Sequence, residues 1–162
     1  MSLPPELWQM IVDQVDFLSK IRLRQVHPYL MVCLQITDFY NIDDRYLEAL
    51  DDAIIKQHPY IKELFAFDNP KITDVTPLIN LEILDASWGC GIGDNGLKTS
   101  NLKFLDASGN TNIKDISHMT LLKELYARWG CGIKDNGLPY QTNTPAEFCF
   151  KIDCLGNYKI HV

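Results

Sequence analysis

Apolar positions in the middle of the chain recur at a fixed interval. Each recurrence starts with Leu or Ile, adds a Leu three residues on and an Ala two beyond that, and closes with an Ile and an Asp. The second Leu and the Ala are separated by one residue, so they share one face of a short strand. The pattern starts at Ile61, Leu81, Leu102 and Leu122, spaced 20, 21 and 20 residues. Strand and loop consume about 15 positions of such a unit, which leaves too few for a full helix, so turns or single 3₁₀ turns are expected on the return path. Residues at positions 3, 5, 7 and 8 of each unit are expected to face away from the core.

Self-similarity is closest at twice that interval. The segment from Leu81 to Leu97 repeats from Leu122 to Leu138, offset by 41 residues, with 12 of 17 positions identical. The segments opening at Ile61 and Leu102 also lie 41 apart, and they carry Asn69 and Asn110 where the other two carry Gly89 and Gly130. The shared pattern, L-x-x-L-x-A-x-x-(N or G)-x-x-I-x-D, resembles a leucine-rich repeat with Ala in the third apolar position. The resemblance implies an α/β solenoid of short 20–21-residue units. In that family the Asn amide bonds loop backbone that would otherwise be unpaired. The tails Ile92 to Leu97 and Ile133 to Leu138 resemble the cysteine-containing class, with Cys90 and Cys131 one position late. Residues 34–140 are read as the repeats. The first, 34–60, is longer, with Leu34, Ile36, Ile42, Asp44 and Leu47 at positions 4, 6, 12, 14 and 17. Leu47, Leu50, Ile54 and Ile55 on one side of Tyr46 to Lys56 predict a helix behind it.

Beyond Tyr140 the pattern stops. Phe148 to Asp153 and Tyr158 to Val162, around Leu155-Gly156-Asn157, predict a β-hairpin, and residues 141–162 are read as a cap over the last exposed core.

The N-terminal fifth is helical in pattern. Pro4 opens a helix in which Leu7, Ile11 and Val15 form an apolar stripe. Phe17-Leu18-Ser19 interrupts it, Ser19 caps a second helix from Lys20 to Val26, and Pro28 opens a third through Cys33. Residues 1–33 resemble an F-box: Leu3-Pro4-Pro5-Glu6, then Ile11, Leu18-Ser19 and Arg24-Gln25-Val26. The family's usual Trp after the last turn is replaced by Tyr29-Leu30. The resemblance implies docking on the Skp subunit of a cullin ubiquitin ligase through Leu3, Pro4, Leu7, Ile11, Leu18 and Val26. Compact repeats behind such a start also resemble arrays of giant DNA viruses of amoebae, which implies a viral protein acting in the host cytoplasm. The alternative is a plain repeat-binding module whose helices only cap the stack.

Composition narrows the remaining classes. The chain has 162 residues, 46% apolar and 22% charged, as an ordinary globular protein does. A formal charge of −6 excludes general phosphate-backbone binding, and no apolar run is long enough to span a bilayer. Met1 to Glu6 lacks the features of a signal peptide, so the five cysteines are expected as free thiols in the cytoplasm. None forms a C-x-x-C pair, the four histidines are scattered, and no nucleophile motif is present. No enzyme activity, cofactor or metal is therefore expected.

A protein partner is expected instead. The sheet face would carry Phe65, Phe67, Ile83, Phe104 and Tyr126, interleaved with Asp85, Asp106 and Arg128, and aromatic residues among charges are common at interface hot spots. Two alternatives stand beside this: Phe65 and Phe67 lie under the N-terminal helices, and Trp88 and Trp129 are covered by each other's loops. A face this small suits a small epitope or homodimerisation. The acidic stretch Asp38 to Asp52 is expected as a solvated flank.

Overall fold

The computed structural model describes residues 4–15, 19–20, 22–23, 38–39, 47–98, 101–134, 137 and 149–151. Leu3, Leu18, Val26, most of the second predicted helix, all of the third, the expected first-repeat positions Leu34, Ile36, Ile42 and Asp44, and the second arm of the predicted hairpin lie outside them. The elements are α1 (Pro5–Val12), β1 (Asp38–Phe39), α2 (Asp52–Ile55), β2 (Glu63–Phe65), β3 (Ile83–Asp85), β4 (Phe104–Asp106), β5 (Glu124–Tyr126) and β6 (Cys149–Lys151). The six strands form one parallel sheet in chain order. Parallel neighbours require a crossover of a dozen or more residues between strands, and the repeat interval supplies it.

Register follows the periodicity. Leu64, Leu84, Leu105 and Leu125 stand opposite one another across β2 to β5. All four side chains are buried, as are the alanines two residues on. Ile72, Ile92 and Ile113 close the core from the loop that follows, and Ile61, Leu81, Leu102 and Leu122 close it from the front. One continuous apolar cluster therefore runs through all four units, because each unit's face is covered only by its neighbours.

The 41-residue period has a physical cause. The unit from Leu81 carries a 3₁₀ turn, Asp94–Leu97, and its Gly96 carbonyl accepts from Val75 N at 3.1 Å. The same bond recurs one period later, from Ile116 N to the Gly137 carbonyl at 2.8 Å. A Cβ on Gly96 would lie 2.1 Å from the Thr73 carbonyl oxygen, and one on Gly137 would lie 2.1 Å from that of Lys114. Backbone thus packs on backbone at every second interface, and only glycine permits it. Gly96→Ala is expected to lower the urea midpoint by the equivalent of about 1–3 kcal/mol. Gly93→Ala, whose Cβ would meet Asn112 at 3.2 Å, is expected to cost clearly less. Equal midpoints for the two variants would refute this account.

The asparagines tie units together. Asn110 is fully buried; its Nδ2 donates to the carbonyls of Ala86 (2.8 Å) and Ile92 (3.1 Å), and its Oδ1 accepts from Asn112 N (2.8 Å). Asn69 repeats this toward the preceding segment, donating to the Leu47 and Leu50 carbonyls at 2.7 and 3.0 Å. Aspartates link the backs: Asp52 accepts from Thr73 N at 2.8 Å, and Asp94 from Lys114 N at 2.6 Å.

Two expectations are corrected. β1 pairs Phe39, not Leu34, with Leu64, so the first unit is set five residues later than its apolar pattern implied. The helix expected over Tyr46 to Lys56 is cut to Asp52–Ile55, because the Asp51 side chain accepts from Ile54 N at 2.8 Å and caps a new start there. Leu50 and Ile55 still reach the core, with Leu47 and Ile54 packed against it. Cys149–Lys151, the first arm of the predicted hairpin, extends the sheet as a strand parallel to β5.

Candidate functional site

Two surfaces carry the residues that the sequence singled out. The first is α1. Its stripe of Leu7 and Ile11 does not face inward: these side chains are 45% and 44% exposed, while Val12 beside them is buried. Met10 is 65% exposed and joins them at i, i+3, i+4 spacing. It was not among the residues picked from the sequence, because the motif directs attention to other positions. Pro4 is exposed at the helix entrance. Lys20, on the next segment, is buried.

The second surface is the sheet face. Phe65, Ile83, Phe104 and Tyr126 alternate with the core leucines and are half-buried, while Phe67 is 43% exposed. The rings associate in pairs. Phe65 stacks with Phe67 at 6.0 Å between centroids, Phe104 meets Tyr126 at 5.4 Å, and the Arg128 guanidinium lies 5.4 Å above the Tyr126 ring. Among the described residues Arg128 Nε has no hydrogen-bond partner, and the guanidinium rests on the Tyr126 ring.

Asp85 and Asp106 stand opposite each other on β3 and β4. Burial pushes the Asp85 carboxyl above its usual range; hydrogen bonds from Ser87 oppose this, and the nearby Asp106 charge adds to it. Its ionised form is therefore held at some cost to the fold. Ser87 and Ser108, expected on this face, are buried instead. Their backbone N–H groups donate to Asp85 and Asp106, at 3.0 and 2.9 Å, and draw the chain inward.

That inward turn has a backbone signature. Position 8 of each unit lies in the left-handed region: Asp68 at φ 51°, Trp88 at 58°, Gly109 at 68° and Trp129 at 57°. Asp and Gly tolerate this region, whereas for other residues it costs roughly 1–2 kcal/mol. Trp88 and Trp129 bear that strain and stay 49% and 61% exposed, so they are not covered by each other's loops. Trp88 lies against Gly109, where a Cβ would come within 3.2 Å of its indole.

Cys90 is a buried free thiol, pushed up to about 12 by burial, and Cys131 is half-buried. Both fill space; burial keeps Cys90 from forming a nucleophilic thiolate at neutral pH. Among the described residues, no three His, Cys, Asp or Glu side chains are placed to hold a metal ion, and no helix is long and apolar enough to cross a membrane. Searches against known protein families, curated proteins and solved structures found no match to this chain.

Proposed function

We propose that this protein is a non-enzymatic adaptor of the F-box and leucine-rich-repeat kind, working in the cytoplasm. Its repeats form a short solenoid whose sheet face, Phe65, Phe67, Ile83, Asp85, Phe104, Asp106, Tyr126 and Arg128, holds a target protein. Its N-terminal helices dock on the Skp subunit of a cullin ubiquitin ligase. The observation that carries this reading is the apolar stripe Leu7, Met10 and Ile11, which α1 turns to solvent while Val12 anchors the helix. A helix presenting i, i+3, i+4 apolar anchors is suited to a partner's groove.

The stripe's exposure makes the test clean. Leu7→Asp with Ile11→Asp is expected to weaken binding to a purified Skp-type subunit at least about tenfold. The melting temperature should stay within a few degrees, since neither side chain is in the core. Wild-type protein that shows no Skp binding by calorimetry at micromolar concentration would overturn the ligase link. A plain repeat-binding module with capping helices is the second reading, and it rests on the burial of Val12 and Lys20 in the N-terminal segment.

A further inference from the structure

The C-terminal rim of the sheet narrows the chemistry of the target, on the reading that this face binds protein. Ladder hydrogen bonds continue past the strands, from Trp88 N to the Ser108 carbonyl (2.7 Å) and from Gly109 N to the Arg128 carbonyl (2.8 Å). Position 8 therefore keeps strand spacing. The backbones of Trp88 and Trp129 stand two rungs apart, roughly 9.5 Å, and the Trp88 indole rests against Gly109 on the strand between them. Trp is the aromatic side chain that best attracts a cation over its face.

Charge points the same way. Facing outward at positions 3, 5 and 8 are the carboxylates Glu63, Asp68, Asp85, Asp106 and Glu124. Arg128, at position 7 of the last unit, is a cation near this face, and it is already engaged with Tyr126. Lys62, Lys103 and Lys123 lie at the opposite, N-terminal ends of the strands, where Lys103 pairs with Glu82 at 2.8 Å. A polyproline II segment repeats every three residues at about 3.1 Å each, so its residues i and i+3 share one side about 9.3 Å apart. That interval matches the two-rung separation of the tryptophans.

We propose that Trp88 and Trp129, at the rim of the sheet face that carries Asp85 and Asp106, dock an extended segment of a partner protein bearing Arg or Lys at i and i+3. The cationic side chains sit over the indoles, drawn by the carboxylates of the adjoining sheet face.

The test uses the full chain and a set of short synthetic proline-rich peptides: Arg-x-x-Arg, Arg-x-Arg, the citrulline version of the first, and a Glu-x-x-Glu control, followed by fluorescence anisotropy. The Arg-x-x-Arg peptide is expected to bind at least tenfold tighter than its citrulline version and several-fold tighter than Arg-x-Arg, with affinity falling as salt rises. Trp88→Asn and Trp129→Asn, which suit the left-handed backbone, should each weaken binding several-fold while leaving the melting temperature within a few degrees. Asp85→Asn, which keeps an oxygen for the Ser87 N–H, should weaken binding likewise. Binding that ignores peptide charge, or that survives both Trp variants while Phe104→Ala abolishes it, would overturn the cationic rim and leave the sheet-face reading standing. No binding by any peptide, or large losses of melting temperature in the Trp variants, would also overturn the rim. The Skp measurement is made on α1 variants, so its failure would be seen separately.

Discussion

Leu105→Ala is expected to lower the free energy of unfolding by roughly 3–5 kcal/mol, the range for leucines whose cavity cannot collapse. Leu105 is fully buried in β4 and stands in register with Leu84 on one side and Leu125 on the other. Truncation therefore leaves a void shared by two interfaces, and strands held by ladder bonds on both edges cannot close it. Urea unfolding followed by circular dichroism reads the change. A loss below about 1 kcal/mol would mean that the leucine row does not carry the stack. A uniform midpoint at all probes is expected as well, because the apolar cluster is continuous from Leu50 to Ala127.

The second large effect is expected from Asn110→Ala, at roughly 2–4 kcal/mol. The side chain is fully buried and makes hydrogen bonds in both senses. Its removal leaves the Ala86 and Ile92 carbonyls without the amide that serves them, and each buried polar group left unpaired costs about 1–3 kcal/mol. Asn110→Asp discriminates between mechanisms. It keeps an acceptor for Asn112 N but points a carboxylate oxygen at two carbonyl oxygens, so it should be worse than Ala at neutral pH. If Asp were tolerated as well as Asn, the donor bonds to Ala86 and Ile92 would not be what matters. Chemical denaturation of the three forms, with the order Asn, Ala, Asp, is the check.

The strand register from β2 to β5 was legible because a strict interval fixes which residues stand side by side. The first unit was not. Leu34 and Ile36 carry the strand pattern in the sequence, but Phe39 is the residue in register with Leu64, and Asn69 ties this unit to the preceding segment at the Leu47 and Leu50 carbonyls. A sequence does not announce which carbonyl a buried amide will find. The break at Asp51 was missed for a related reason: an apolar helical stripe continues through it, and only the cap bond to Ile54 N shows that a new helix begins.

Of the candidate surfaces, the alternation along each strand placed Phe65, Ile83, Phe104 and Tyr126 opposite the core leucines. Alternation fails at position 7 in the two middle units, where Ser87 and Ser108 go inside while Phe67 stays exposed. The exposure of Trp88 and Trp129 was likewise hidden, since large aromatic side chains in a small protein are more often covered. On α1, Leu7 and Ile11 were recognised as a stripe, but no pattern states whether a stripe faces its own core or a partner. Their exposure came only with the packing of Val12.

The glycine contacts at Gly96 and Gly137 also bear on how such a chain can change length. Interfaces alternate between two kinds, one sealed by glycine against a carbonyl and one by an asparagine amide. Duplicating or deleting 41 residues preserves this alternation and keeps every seam matched. Losing a single unit of 20 or 21 would bring together two surfaces that never meet in the native stack. The quantum of growth for this architecture is therefore a pair of units.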